Sequence, residues 1–232
     1  MRVDVVVLAK VPRPGRSKTR LQPPCTPGEA AELALAALLD TVLAVEAASI
    51  DGRRVLALDV PVPSLARPGW RTIPQRGDGL DERLASAFED VGGPALLLGM
   101  DTPQVRPRVL EDAVSRLCLP NVDAVLGEAF DGGYWAVGLR RPVPSVFLGV
   151  PMSAATTAMV TRARLRAAEL RVAELPKMRD VDTIEDAWVV AGDAVVARGA
   201  GGSLFAATLR AMAPRLAGRK AAGDLVGTGA SP

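Results

Sequence analysis

The chain has 232 residues, a formal net charge of +2, and a composition that is 49% hydrophobic but only 3% aromatic. This length fits one α/β core, the small charge indicates neither nucleic acid nor a membrane surface as a partner, and no apolar run approaches the roughly 20 residues that span a bilayer. The chain has no histidine and only two cysteines, which excludes Ser-His-Asp and Cys-His nucleophiles and Cys/His zinc sites.

Short apolar runs alternate with longer amphipathic segments, which predicts a three-layer α/β/α sandwich with a mainly parallel central sheet. Strands are predicted at 3–9, 53–59, 70–74, 94–99, 123–127, 134–139 and 171–175. Helices are predicted at 28–48, 81–90, 106–118, 155–169, 184–197 and about 203–212. We expect residues 1–215 to form one domain and residues 216–232, rich in Gly, Ala and Ser without periodicity, to form a disordered tail.

A cation-rich loop follows the first predicted strand. Its five cations, with no acid among them, are Lys10, Arg13, Arg16, Lys18 and Arg20. Pro12, Pro14 and Gly15 prevent a regular helix or strand there. Loops at the carboxyl ends of parallel strands are where open α/β sheets bind phosphates, through cationic side chains and through backbone N–H groups near glycine. A solvated basic loop is the alternative.

Two further segments combine a strand end with a carboxylate. Asp101 follows the apolar run that ends at Gly99, so it can hold a divalent cation at the ligand crevice or simply cap the turn before the next helix. Asp131, followed by Gly132 and Gly133, interrupts two strand-like segments. A hairpin turn explains that triplet, and the glycines also permit close approach of a ligand to the backbone.

Near the carboxyl-terminal end, Asp180 and Asp182 alternate on an extended stretch and therefore point to one face. Thr183 and Asp186 resemble a helix capping box, which leaves the two aspartates free and makes Asp182 the candidate second metal ligand. The stretch from Gln75 to Gly77 is a glycine-containing turn that either reads a nucleobase or is a plain loop. Because imidazole and thiolate sites are excluded, carboxylates imply Mg²⁺ or Mn²⁺ as the metal.

Together these segments resemble the radical-SAM/selenodomain-associated transferases, a glycosyltransferase-like family with the GT-A nucleotide-diphospho-sugar transferase fold. The matching motifs are Ala9-Lys10 through Lys18-Thr19-Arg20-Leu21, Gly99 to Pro103, Asp131 to Tyr134, and Asp180 to Thr183. The resemblance covers roughly residues 3–190. More distantly, the chain is similar to 2-phospho-L-lactate guanylyltransferases and molybdenum-cofactor guanylyltransferases.

The resemblance implies a site in which Asp101 and Asp182 hold Mg²⁺ or Mn²⁺ against a diphosphate. The phosphate-binding residues would be Ala9, Lys10, Gly15, Arg16, Lys18 and Arg20, and Gln75 and Gly77 would face the nucleotide. Lys18, together with Lys10, Arg16 and Arg20, would stabilise the leaving group electrostatically, and the catalytic contribution of Asp101 would be to hold the metal. Asp131 would orient the acceptor and is the candidate base.

The chain departs from the family pattern in two places. Gly79-Leu80-Asp81 stands where the family has Asp-Leu-Gly, in the nucleotide-facing loop. Met152-Ser153-Ala154 stands where the family has Trp-Ser-Thr, in a segment expected near the acceptor or sugar.

Three functions follow as hypotheses. The first is a metal-dependent glycosyltransferase that uses a nucleotide-sugar donor and an unidentified small-molecule acceptor. The second is a nucleotidylyltransferase that joins a nucleoside triphosphate to a phosphorylated small molecule and releases pyrophosphate, because five cations suit a triphosphate. The third is a non-catalytic nucleotide-binding protein. In each case we expect a cytoplasmic protein with reduced thiols, acting on neither nucleic acid nor membrane.

Overall fold

The computed structural model describes residues 1–198 and 202–227. It is built around one seven-stranded sheet with strand order β3-β2-β1-β4-β6-β5-β7. The strands are β1 Asp4–Ala9, β2 Arg54–Leu58, β3 Trp70–Pro74, β4 Ala95–Gly99, β5 Ala124–Glu128, β6 Tyr134–Leu139 and β7 Val172–Glu174. Only β6 runs antiparallel to its neighbours β4 and β5. The predicted strands and the predicted mainly parallel sheet are confirmed.

Within the described residues, six α-helices accompany the sheet: α1 Pro27–Ala47, α2 Leu80–Val91, α3 Pro107–Leu117, α4 Thr157–Ala167, α5 Ile184–Arg198 and α6 Leu204–Gly227. Strand residues alternate between two hydrophobic clusters. On β1, Val5 and Val7 face a cluster that includes α1 and α3, whereas Val6 faces a cluster that includes α2 and α4. This alternation follows from the two-residue period of a strand, and it confirms the three-layer sandwich.

Helix α1 begins where the sequence predicts. The hydroxyl of Thr26 accepts a hydrogen bond from the Glu29 amide, and the Glu29 carboxylate accepts one from the Thr26 amide at 2.9 Å. Pro27 occupies the first helical position, where its missing N–H costs nothing. The helix is buried on two sides, because its other face packs against α6 in a third hydrophobic cluster.

The carboxyl-terminal helix is longer than predicted. The sequence analysis ended it ahead of Pro214, whereas α6 continues through Pro214 to Gly227. The residues Leu209, Met212 and Leu216 are buried in the cluster with α1 and α5, and this packing offsets the hydrogen bond that proline cannot donate. The domain boundary at 215 and the disordered tail over 216–232 stay predictions, and residues 228–232 lie outside the described residues. Among the helices of the described chain, none has the length and apolar character required to cross a membrane.

Candidate functional site

A cavity of about 510 Å³ lies at the carboxyl ends of β1 and β4. Three segments surround it: the basic loop after β1, the turn at residues 129–133 between β5 and β6, and the extended segment at residues 178–182. Backbone hydrogen bonds position the last of these, because the amide of Val181 donates to the carbonyl of Asp101 at 3.1 Å and the amide of Phe130 donates to the carbonyl of Met178 at 3.1 Å. The fold thus brings segments from both halves of the chain to one crevice.

Lys18 attaches the basic loop to the acidic side of the cavity. Its ammonium group lies 2.8 Å from the Asp101 carboxylate and also donates to the carbonyl of Val181. The backbone of Lys18 adopts the left-handed conformation, with φ of 49°, and its side chain is only 10% exposed. Arg20 makes a second link through its ion pair with Asp182. The cations at 18 and 20 are therefore already paired with acids of the cavity.

Three carboxylates form the group best arranged for a metal. Oxygens of Asp131, Asp180 and Asp182 all lie within 4.8 Å of one another. These are hard oxygen donors, and they suit Mg²⁺ or Mn²⁺. Burial, followed by the negative charge of Asp131, raises the pKa of Asp180 to about 6. A bound cation would relieve that repulsion, so the donor set fits the implied metal.

The structure brings together most of the predicted site residues. Those that line the cavity are Lys10, Arg16, Lys18, Arg20, Gln75, Asp101, Asp131 and Asp182. Asp182 belongs to the carboxylate group, whereas its predicted partner Asp101 lies in the ion pair with Lys18. As metal ligand and catalytic residue, Asp101 stays a prediction. Asp131 lies in the β5–β6 hairpin turn and also lines the cavity, and the close approach of a ligand to the neighbouring glycines stays a prediction.

Three predicted ligand-binding positions, Ala9, Gly15 and Gly77, are not among the residues that line this cavity in the described part of the chain. The carbonyl of Ala9 accepts a hydrogen bond from the Gln75 side chain, which also donates to the carbonyl of Ala57. Gln75, which directly follows β3, thus links the ends of β1, β2 and β3. Its side-chain amide nitrogen donates both of these hydrogen bonds. Gly77, with φ of +115°, lets the loop pass against Glu82, whose Cβ would lie 2.4 Å from an added Cβ.

The two departures from the family pattern lie near each other. The Asp81 carboxylate accepts a hydrogen bond from the amide of Gly149 at 2.8 Å, and this bond lowers the pKa of Asp81. It links the amino-terminal turn of α2 to the segment that leads to Met152 and Ser153, both of which line the cavity. The unusual Asp81 therefore has a structural role in this chain.

The sequence pattern gives no functional role to two polar residues that line the cavity, Asp180 and Thr102. The alternation of Asp180 with Asp182 indicates a shared face, which is the signal that could have assigned Asp180 to the metal. Thr102 is 2% exposed and lines the cavity. Its hydroxyl has no hydrogen-bond partner within the described residues. A buried hydroxyl without a partner is costly, and nothing local in the sequence reveals it.

Three solved structures illustrate the likeness of this chain to known folds. A Desulfovibrio desulfuricans G20 protein, provisionally described as a nucleotide-diphospho-sugar transferase, is 27% identical with a TM-score of 0.80, and the match covers 94% of this chain and 99% of that one. A CMP:2-keto-3-deoxy-manno-octonic acid synthetase complexed with CTP is 15% identical with a TM-score of 0.57, covering 85% and 99%. A cytidylyltransferase from Leptospira borgpetersenii serovar Hardjo-bovis is 12% identical with a TM-score of 0.55, covering 94% and 96%.

These likenesses confirm that the chain has the nucleotide-diphospho-sugar transferase fold that its motifs predicted. No curated protein matches the chain in sequence. A family model, DUF2064, described as an uncharacterized protein conserved in bacteria, matches residues 30–154. That match covers more than half of the chain, from within α1 through β2 to β6 and on to the turn that carries Met152, and the chain belongs to the DUF2064 family.

Proposed function

We propose that this protein is a metal-dependent glycosyltransferase that uses a nucleotide-sugar donor. The observation that carries the proposal is the chemistry of the cavity at the ends of β1 and β4, which cations of the basic loop and a group of three carboxylates both line. This is the combination that a diphosphate bridged by a divalent cation requires. The buried, unpartnered hydroxyl of Thr102 also favours a polar ligand there.

The charge of the cavity favours a diphosphate donor. Its four cations, Lys10, Arg16, Lys18 and Arg20, are matched by four carboxylates, Asp101, Asp131, Asp180 and Asp182. One divalent metal ion therefore leaves an excess of two positive charges, and the two phosphates of a nucleotide-sugar carry two negative charges. A triphosphate would exceed this balance unless a second metal ion accompanied it.

Within this proposal, Asp180 and Asp182 would hold Mg²⁺ or Mn²⁺, which supplies electrostatic stabilisation of the departing diphosphate, and the adjacent Asp131 would be left to act as the base. Lys10 and Arg16 would bind the phosphate oxygens directly, because no ion pair to an acid engages them among the described residues. The ammonium group of Lys18, whose side chain is nearly buried, would add a positive charge beside the same phosphate oxygens. Asp131, at the exposed tip of the hairpin, would accept the proton of the acceptor hydroxyl.

The second candidate is nucleotidylyl transfer. It is supported by the fold shared with a cytidylyltransferase and with a synthetase whose structure contains CTP. In this case the basic loop would hold a triphosphate, with Arg13 as an additional cation near the rim and a second metal ion to balance the charge. The acceptor would be a phosphorylated small molecule.

Thermal unfolding with a panel of ligands separates the two candidates, because a ligand of the folded state raises Tm. The panel pairs UDP-glucose, GDP-mannose and CDP-glucose with the matching nucleoside triphosphates, each with and without Mn²⁺. We expect a metal-dependent rise in Tm for one nucleotide-sugar and a smaller one for its triphosphate. A rise with triphosphates alone would contradict glycosyl transfer and support the second candidate. Asp112→Asn removes a carboxylate at an exposed position on α3, outside the cavity. As a control, it should show the same rises in Tm as the unchanged protein.

A further inference from the structure

One wall of the cavity is apolar. It is formed by Leu8, Leu84, Leu97, Tyr134 and Met152. Leu84 and Leu97 belong to the hydrophobic cluster between the sheet and α2, and Leu8, Tyr134 and Met152 are partly buried against that cluster. Because Leu84 and Leu97 are almost fully buried, the apolar side chains that reach the cavity are chiefly Leu8, Tyr134 and Met152.

The Met152 turn adjoins the start of α2, through the hydrogen bond from the Gly149 amide to Asp81, and the hairpin that carries Asp131, because the amide of Ala158 donates to the carbonyl of Gly132 at 2.8 Å. The sheet order places β3 and β6 on opposite sides of the central pair β1 and β4. Gln75 follows β3, the phosphate-binding loop follows β1, and Tyr134 begins β6. A nucleotide whose phosphates lie at the loop and whose base lies toward Gln75 leaves the region of Tyr134 and Met152 for the second substrate.

The turn that carries Met152 is rigidly supported. Phe147 stacks on Phe88 of α2 with ring centroids 5.3 Å apart. At the other end the hydroxyl of Thr157 donates to the carbonyl of Pro151 at 2.7 Å and accepts from the amide of Ala154 at 3.1 Å. Residues held at both ends in this way present their side chains to a ligand at little entropic cost.

Ser153, next to Met152, has an unusual backbone conformation. Its φ is +57°, a left-handed conformation that costs a residue other than glycine roughly 1–2 kcal/mol. Ser153 is exposed and lines the cavity. Strained residues that persist in a well-supported turn cluster at sites of function, so the hydroxyl is kept in spite of the backbone cost.

We infer that the turn at residues 152–154 selects the acceptor, and that the acceptor is an alcohol carried on an apolar body. The inference rests on the proposed glycosyl transfer. Met152 contacts the apolar body, and Ser153 forms a hydrogen bond with the reacting hydroxyl. The acceptor oxygen forms a bond to the anomeric carbon, the bond from that carbon to the diphosphate breaks with its electron pair leaving on the nucleoside diphosphate, and the alcohol proton passes to the Asp131 carboxylate.

A series of n-alkanols tests the apolar wall directly. Isothermal titration calorimetry of the full chain with n-butanol, n-hexanol and n-octanol measures Kd for each. We expect Kd to fall about fourfold for each added CH₂ group, the equivalent of about 0.8 kcal/mol. Met152→Ser is expected to weaken n-octanol binding about tenfold and to flatten the dependence on chain length.

Met159→Ser is the matched control. Met159 is 60% exposed on α4 and lines a separate apolar groove with Val146. If Met159→Ser rather than Met152→Ser weakens the binding of n-octanol, the alkanol occupies that groove and the inference is wrong. A Kd that does not change with chain length also overturns it.

Ser153→Gly tests the hydroxyl. Glycine adopts positive φ without strain, so we expect Tm to stay the same or rise, while Kd for all three alkanols weakens by about threefold. A Ser153 with a purely structural role would leave every Kd unchanged. The two proposals can fail separately. Glycosyl transfer is contradicted if no nucleotide-sugar raises Tm, whereas the apolar acceptor is contradicted if Met152→Ser leaves the Kd for n-octanol unchanged.

Discussion

The ammonium group of Lys18 lies 2.8 Å from the carboxylate of Asp101, across 83 residues of sequence. This ion pair joins the basic loop after β1 to the end of β4. We expect a double-mutant cycle with Lys18→Met and Asp101→Asn to give a coupling energy of about 1 kcal/mol, because the lysine is nearly buried but the aspartate is 43% exposed. Urea unfolding of the four proteins measures it. Additive effects would show that the pair contributes nothing to folding.

The ion pair between Arg20 and Asp182 places a protein cation where a metal ion would bind. We expect Arg20→Gln to strengthen Mn²⁺ binding about two- to fivefold in the absence of nucleotide, since an exposed pair is worth about 0.5–1 kcal/mol. Calorimetric titration with Mn²⁺ measures the change. Arg13→Gln, in the same loop, is the control and should leave the affinity nearly unchanged. Weaker Mn²⁺ binding in Arg20→Gln would rule out competition between the guanidinium and the metal.

The carboxylate group predicts which aspartates bind the metal. We expect Asp180→Asn to weaken Mn²⁺ binding on the order of 100-fold, because it removes an oxygen ligand from the group. The comparison with Asp101→Asn is decisive for the sequence-based assignment. If Asp101→Asn abolishes Mn²⁺ binding while Asp180→Asn leaves it intact, the metal lies beside Lys18 and not in the group of three.

The hairpin tip that carries Asp131 depends on Gly132. Its φ is +89°, and a Cβ there would lie 2.0 Å from the carbonyl oxygen of Ala155. We expect Gly132→Ala to destabilise the protein by about 2 kcal/mol or more, because the clash adds to the backbone strain. Gly69→Ala is the control, with φ of +76° but nothing within 4 Å, and should cost only about 1 kcal/mol. Equal losses in chemical denaturation would show that the close approach to Ala155 is unimportant.

The link between β5 and β7 predicts an acid-labile contribution to stability. Hydrogen bonds from the Arg171 guanidinium lower the pKa of Asp123 to about 2. The contribution is therefore complete above the unfolded pKa near 3.8 and is lost as the pH falls through about 2. We expect it to be about 1 kcal/mol, reduced because Arg171 is 56% exposed. In Asp123→Asn, the free energy of unfolding should fall less between pH 5 and pH 2 than in the unchanged protein. Parallel curves would contradict the assignment.

Much of the fold could be predicted from the sequence because it depends on interactions between residues close together in the chain. The apolar runs of β1 and β4 and the capping residues Thr26 and Glu29 each act through neighbours within a few positions, so their structures follow from short segments. The predicted helix end before Pro214 is wrong because a contact between distant residues outweighs the local preference there. Proline disfavours a helix interior locally, but burial of Leu209, Met212 and Leu216 against α1 and α5 outweighs it.

By itself, the sequence determined an α/β fold, a cation-rich loop at the end of a buried strand, and carboxylates as the side chains expected to hold a metal. Only the tertiary structure decided which aspartates act together. Asp131 and Asp180 meet because backbone hydrogen bonds align residues 178–181 with Phe130 on one side and Asp101 on the other. Which aspartates meet depends on how segments distant in sequence are aligned with one another. That alignment is set by the packing of the whole sheet and not by the aspartates themselves.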